Sequence, residues 1–437
     1  MKHLFNPKSI AFIGASTKPK TVGSGLASNL LKSKKKVFFI NPKYKKIFGK
    51  KSYSSIGNIK EGIDLAIIAI PAAAVKGVVE ECIAKRVKGL IIISAGFSEI
   101  GNASLEKDVV GLCRKAGVFL VGPNCLGVLN PRIGLNASFA PFDASPGNIA
   151  LISQSGALID AIIDLSRGKR YGFSKIISIG NEADLDMADY LEYLEKDKET
   201  KVISIYMEGM KNGRRFIEAV KNIKKPIVVL KSGKSDSGKM AAMTHTGSIA
   251  GDKDIYSAIF KQFGIIETQS VEEFLDTSKA LSFTKRTKRG AGIITNGGGF
   301  GILMVDCLEE NNIKLSKIKK ETIQKMAHFK NAAIDKNPVD ILGDALAEKY
   351  EIATEALIEQ NDINTLIVIM GMQIMTEPEK TAKILVKIAK KKKDKTIICC
   401  LMGGSSFSKT IEILEKNGLP CFNDPKRTAL VLKNLTL

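Results

Sequence analysis

The sequence is poor in the residues that build metal sites. Its 437 residues include three histidines and seven cysteines (Cys82, Cys113, Cys125, Cys307, Cys399, Cys400 and Cys421), with no CxxC pair. The cysteines lie mostly in apolar segments, so buried thiols are expected, with neither zinc ligands nor disulfides, and no structural metal. Long apolar runs are missing too. Stretches such as 89–93 and 366–370 fall far short of the roughly 20 residues that cross a bilayer, and residues 1–16 lack the continuous apolar core of a secretory leader. A cytoplasmic protein away from membranes is the expectation. A third absence is local: residues 1–60 contain no acid and no arginine.

Those sixty residues carry 14 lysines, two thirds of a formal net charge of +21 that arises from 66 basic and 45 acidic residues. Such a field attracts polyanions, and both nucleic acid and a multiply phosphorylated small molecule are candidates. A nucleic-acid surface would interleave aromatics or arginines among the lysines. Here the nearby aromatics, Phe38 and Phe39, fall inside a strand-like run, which favours a small anionic cofactor. With 44% hydrophobic and 25% charged residues, the chain is built for ordinary packed cores and is neither disordered nor collagen-like.

Short β-branched runs alternate with helical stretches in the first third, at 9–13, 37–40, 65–70, 89–94 and 118–121. This pattern predicts a parallel, doubly wound α/β sheet, whose ligands bind beyond the carboxyl ends of its strands. The remainder reads as one unit used twice. Segment 150–156 pairs with 292–298, 184–189 with 340–345, 205–210 with 368–372, and 227–233 with 397–403; matching order over four blocks argues for duplication. Three α/β domains are predicted, over 1–130, 145–285 and 290–437, with the basic stretch 285–290 as a linker.

The first strand ends in Gly14-Ala15-Ser16 and leads through Val22-Gly23 into a helix, where free N–H groups and the helix dipole favour phosphate. The spacing is not GxGxxG, and the acid that would hold a ribose hydroxyl is replaced by Asn41-Pro42-Lys43, which suits an extra phosphate. Residues 233–239 nearly spell a Walker A loop, but Met240 stands where a hydroxyl would hold magnesium, so they read as a flexible loop leading to Thr244-His245-Thr246-Gly247-Ser248. His245 is the sharpest single residue. A neutral imidazole can take a phosphoryl group if a carboxylate orients its other nitrogen, and Glu208, at a buried strand end, is the candidate. The helix after Ser153-Gln154-Ser155-Gly156 offers N–H donors to the phosphoryl oxygens. In the second copy Met370 occupies the place of Glu208 and no histidine loop follows, so the middle domain is expected to be the chemical one. An NADP-linked oxidoreductase and a non-catalytic nucleotide- or nucleic-acid-binding module are the competing readings.

These residues together resemble the nucleoside-diphosphate-forming acyl-CoA synthetases, a family that includes succinyl-CoA synthetase. The strand-end turns Gly14-Ala15-Ser16, Asn41-Pro42-Lys43, Ile70-Pro71-Ala72, Ser94-Ala95-Gly96 and Gly122-Pro123-Asn124 resemble its CoA-binding domain. Ser153-Gln154-Ser155-Gly156, Gly180-Asn181-Glu182, Glu208-Gly209 and the His245 loop resemble its ligase motifs, and Asn296-Gly297-Gly298-Gly299 with Asn337-Pro338-Val339-Asp340 the extra domain of the ADP-forming acetyl-CoA type. The resemblance implies a Rossmann-like CoA-binding domain followed by two flavodoxin-like domains. It implies an acid–thiol ligase that interconverts acyl-CoA, ADP and phosphate with acid, CoA and ATP, through an acyl phosphate and a phosphohistidine at His245 steadied by Glu208. Gly14, Ser16, Val22, Gly23, Lys43, Ile70, Pro71, Ala95 and Asn124 would line the CoA cleft; Ser153, Gln154, Ser155, Gly156 and Asn181 would meet phosphate or substrate. No ATP-grasp region is visible, so ADP or ATP with magnesium would sit on a separate beta subunit, in an α2β2 assembly whose other ligands are a small carboxylic acid, phosphate and CoA.

Overall fold

A computed structural model of the chain describes residues 1–168, 171–240 and 252–436. Contacts divide it into two compact units, Met1–Gln269 and Ser270–Leu437.

The first unit holds two seven-stranded sheets. Strands β1 (Ser9–Ile13), β2 (Lys36–Ile40), β3 (Lys46–Ile47), β4 (Lys50–Tyr53), β5 (Leu65–Ile68), β6 (Gly89–Ile92) and β7 (Phe119–Val121) lie in the order β3-β4-β2-β1-β5-β6-β7. All pairs are parallel except the β3–β4 hairpin. Without β3, this is the order 3-2-1-4-5-6 of a dinucleotide-type fold, whose strand order reverses between β1 and β5 while the strands stay parallel. Every residue of β1, β5 and β6 is buried, as strands covered on both faces require. The hairpin escapes the periodicity of the sequence because Lys46, Lys50 and Lys51 are exposed at the sheet edge.

The second sheet contains β8 (Gly127–Asn130), β9 (Leu135–Ser138), β10 (Pro146–Ser153), β11 (Phe173–Ser178), β12 (Val202–Met207), β13 (Ile227–Lys231) and β14 (Ile266–Thr268), ordered β14-β13-β12-β10-β11-β8-β9. The β8–β9 hairpin runs antiparallel on its edge, so residues 127–130, expected to close the first domain, belong to this sheet. Asn29, in the helix Val22–Leu31, donates through Nδ2 to Ser138 O and Ala140 O, both at 2.9 Å. A single core cluster extends from Leu4 to Ile265 across both sheets.

The second unit is a parallel sheet, β16-β15-β17-β18-β19, of β15 (Ala291–Thr295), β16 (Val339–Asp340), β17 (Thr365–Gly371), β18 (Thr396–Met402) and β19 (Cys421–Phe422). Its order reproduces β11-β10-β12-β13-β14, strand for strand, which supports the duplication. The helix Val271–Phe283, expected inside the middle domain, packs with this unit. Its buried charges explain the placement. Asp276 accepts from Arg427 Nε at 2.7 Å and Nη2 at 2.9 Å, and Lys279 Nζ reaches Glu415 Oε1 at 2.8 Å. Six cysteines are buried and Cys307 is half-buried, and among the described residues no helix is long and apolar enough to cross a membrane.

Side chains 279 and 415 are 6% and 3% exposed, so removing one leaves the other's buried charge without this ion pair. Lys279→Met is expected to lower stability by about 3–5 kcal/mol. Adding Glu415→Leu should recover most of that loss, with both read as shifts in the urea midpoint.

Candidate active site

At the rim of the first sheet, two glycines allow the backbone to close on itself. A Cβ on Gly14, whose φ is +95°, would lie 2.1 Å from Ala69 O, and one on Gly23 would lie 2.4 Å from Gly14 O. The β1 turn and the start of the helix Val22–Leu31 are thereby pressed onto the end of β5, at the point where the strand order of the sheet reverses. Thr21 caps that helix by accepting from Ser24 N at 3.2 Å, and Ser16 Oγ accepts from Lys18 N at 3.0 Å. Asn41 ties the next turn in place, donating to Ala15 O at 2.8 Å and accepting from Lys43 N at 2.9 Å, which leaves the Lys43 side chain exposed. Ser94 Oγ brackets Ile70, accepting from its N–H at 3.1 Å and donating to its carbonyl. Pro71, Ala95 and Asn124 are exposed along the same edge and Val22 is 41% exposed. The residues expected to hold CoA thus lie on consecutive strand ends.

The rim of the middle sheet is organised by Gln154, which follows β10. Its Oε1 accepts from the backbone N–H groups of Glu208 and Gly209, and its Nε2 donates to Gly209 O at 3.0 Å and Glu182 Oε2 at 3.3 Å. Ser153 is fully buried and closes the turn itself, donating to Ser155 O at 2.7 Å and accepting from Ser155 N at 3.1 Å. Ser155 caps the helix Gly156–Arg167 by accepting from Leu158 N. A Cβ on Gly156 would press to 3.2 Å on the Leu126 side chain.

Glu208 is 7% exposed at the end of β12. Lys231, 5% exposed at the end of β13, donates to Glu208 O at 2.8 Å and to Ser232 O, with its ammonium 4.8 Å from the Tyr256 ring centre. Burial holds the Lys231 ammonium below its ordinary pKa and raises the Tyr206 phenol. Glu182, 7% exposed at φ +53°, accepts from Met187 N at 2.8 Å, and its burial pushes its pKa up to about 7. A proton can therefore enter or leave this rim near neutrality. Asn181, in the same turn, faces the first sheet. His245 lies outside the described residues. Of the Walker-like stretch, residues 236–240 are helical, with Ser235 accepting from Gly238 N at 3.1 Å, where a flexible loop was expected.

Strand register corrects two of the pairings between the copies. Tyr206 lies opposite Ser153 and Ile369 opposite Thr295, so Gly371, and not Met370, is the counterpart of Glu208. Gly371 N accordingly donates to Asn296 Oδ1 at 2.8 Å, as Glu208 N does to Gln154. A Cβ there would lie 2.3 Å from the Phe300 ring, so the position has no room for a carboxylate. Likewise Asp340 matches Ser178, not Asp184. Matching apolar runs gives no information on register to the single residue. Sequence reasoning gave Lys231 no role, and Glu182 none beyond its place in the Gly180-Asn181-Glu182 motif. A signal for Lys231 existed, because the same register replaces it with Leu401.

Family models divide the chain into three consecutive segments. Residues 8–131 match a CoA binding domain, 146–281 a succinyl-CoA ligase like flavodoxin domain and 291–432 a ligase-CoA domain. The chain is 40% identical to the acetate–CoA ligase [ADP-forming] II subunit alpha of Pyrococcus furiosus, covering 98% of this chain and 96% of that one. It is 43% identical to acetate–CoA ligase [ADP-forming] I of Archaeoglobus fulgidus and 42% identical to the Methanocaldococcus jannaschii ligase; the whole chain aligns with each but spans only 63% of their length. Among solved structures, the dinucleotide forming acetyl-coenzyme A synthetase 1 of Ca. Korarchaeum cryptofilum, in complex with phosphate and ADP, matches with a TM-score of 0.92 at 37% identity, covering 99% of this chain and 96% of that one.

Glu182 ties folding to pH. Its folded pKa of about 7 exceeds the ordinary 4.5, so its contribution to stability is present below about 4.5 and is lost as pH rises through about 7. Glu182→Gln keeps an acceptor for Met187 N without the charge. Relative to the parent, it is expected to gain stability between about pH 5 and about pH 8, measured as urea midpoints at the two values.

Proposed function

Because the chain belongs to the nucleoside-diphosphate-forming acyl-CoA synthetases, we propose that it is the alpha subunit of an ADP-forming acetyl-CoA or related acyl-CoA synthetase. The observation that carries this reading is the pair of strand-end rims in one compact unit. One is closed by Gly14 and Gly23 beside a helix start, and the other gathers Gln154, Glu208 and Lys231 beside a second helix start.

The first rim suits CoA. Backbone N–H groups at the start of the helix Val22–Leu31 lie beside a turn without side chains, where phosphate can approach, and Lys43 stands free at the neighbouring strand end. At the second rim a phosphate oxygen attacks the thioester carbonyl. The C–S bond breaks, CoA leaves as the thiolate and an acyl phosphate remains. His245 then attacks phosphorus, the P–O bond to the acyl group breaks, and the acid leaves as its carboxylate. Glu208 orients the imidazole, and Lys231 fixes Glu208 through its carbonyl while adding positive charge where the phosphoryl dianion docks. The helix Gly156–Arg167 offers its first N–H groups to the phosphoryl oxygens.

ADP receives the phosphoryl group on a partner subunit. We assign that partner an ATP-grasp fold and the assembly an α2β2 stoichiometry; two Pyrococcus furiosus relatives named as alpha subunits support the existence of a partner. The Ser270–Leu437 unit, with Gly371 and Leu401 in place of Glu208 and Lys231, is assigned a structural or interface role, and the cytoplasm is the compartment this chemistry implies.

Incubating the chain with the partner subunit and radiolabelled ATP should place acid-labile phosphate on the protein. His245→Ala abolishes the label, while changes at His3 and His328 leave it. Retention of label on His245→Ala would assign the carrier elsewhere.

A further inference from the structure

Asn181 follows β11 on the middle sheet, yet its side chain is engaged with the first. Its Nδ2 donates to Glu99 Oε2, to Glu106 Oε2 at 2.9 Å and to Ser98 Oγ at 3.3 Å, while its Oδ1 accepts from Asn124 Nδ2 at 3.1 Å. The backbone is anchored as well: Asn181 N donates to Pro123 O at 2.9 Å, and Lys211 Nζ donates to Asn181 O. A carboxamide has two N–H donors. Two carboxylates already occupy them, which leaves none for a phosphate oxygen.

Glu99 carries the connection onward. Its Oε1 accepts from Gly96 N and from Phe97 N, the latter at 3.1 Å. Burial alone would raise its pKa, but the bonds from Asn181 and from the Gly96 and Phe97 backbones outweigh burial and hold the carboxyl below its usual range. It is therefore ionised at neutral pH, and hydrogen bonds to an ionised acceptor are roughly twice as strong as neutral ones. Glu106, itself buried, accepts from Ser98 N at 3.3 Å and Ser98 Oγ at 2.7 Å. The turn that follows β6, with Ala95 exposed on the rim, thus hangs on two carboxylates that meet at one amide. The next residue, Glu182, holds Gln154 on the other rim.

We propose that Asn181 is a positioning residue for CoA: its carboxamide fixes the 95–97 turn against the middle sheet and so sets the height of the CoA rim relative to the Gln154–Glu208 site. This inference rests on the function proposed above and deepens it, moving Asn181 from the phosphate end of the reaction to the CoA end.

A tie that merely added stability would, when cut, lower every partial reaction alike. Asn181→Asp keeps the size, removes both donors and adds a third carboxylate. Combining it with Glu99→Gln reverses the bond. The introduced amide oxygen still accepts from Gly96 and Phe97, and its NH2 donates to the new carboxylate. In complex with the partner subunit, Asn181→Asp is expected to weaken CoA binding by about tenfold or more. Phosphorylation from ATP without CoA should stay within about twofold of the parent, and the double variant should recover a large part of the lost affinity. Should Asn181→Asp fail to fold, Glu99→Gln alone carries the same expectation, since donor then faces donor. Unchanged CoA affinity, equal loss in both assays, or no recovery in the double variant overturns the proposal. A parent protein that neither binds CoA nor accepts phosphate overturns the proposed function instead.

Discussion

One carboxamide fastens the middle sheet at the place where its chemistry is assigned. Beyond β10 and β12 the ladder of backbone hydrogen bonds ends, and the N–H groups of Glu208 and Gly209 need acceptors that no neighbouring strand supplies. The Gln154 side chain supplies them, and its own NH2 returns to Gly209 O and Glu182. Leaving a buried N–H unpaired costs about 1–3 kcal/mol, so this one side chain fixes the direction in which the chain leaves β12. The positions of Glu208, Lys231 and the turn at 180–182 all follow from it.

The same device recurs in the second unit with shorter reach. Asn296 accepts from Gly371 N and donates to Gly371 O at 2.9 Å. The turns match as well, for Thr295 Oγ1 donates to Gly297 O at 2.8 Å and accepts from Gly297 N at 3.1 Å, just as Ser153 does with Ser155. Gly180 and Leu342 share a left-handed backbone, with φ +58° and +68°. Against this common frame the differences stand out. Gly371 replaces Glu208, Leu401 replaces Lys231, and the Phe300 ring fills the space above Gly371. Scaffold polar groups persist where backbone atoms require partners, whereas the acidic and basic side chains at these two strand ends do not.

Charge follows a similar division. Lysines crowd the exposed edge of the first sheet, whereas Lys231, Glu182, Asp276 and Lys279 are buried and each has hydrogen-bonded or ion-paired partners. A solvated lysine field is visible in composition alone. A buried lysine is distinguishable from it only through its neighbours, which is why Lys231 passed for the last residue of an apolar strand.

By itself the sequence determined the alternation of strands and helices, the duplication, the glycine turn at Gly14 and the set of strand-end residues, because these depend on local periodicity and on backbone geometry that few residues tolerate. The tertiary structure decided what spans distance. It placed the helix Val271–Phe283 with the second unit, the hairpin at 127–138 on the middle sheet, Gly371 as the counterpart of Glu208, and Asn181 between two rims. The physical reason is common to all four. Register and the pairing of buried polar groups depend on which segments meet across space, and residues 57 to 151 positions apart, such as Asn124 with Asn181 or Asp276 with Arg427, acquire their roles only when the sheets close.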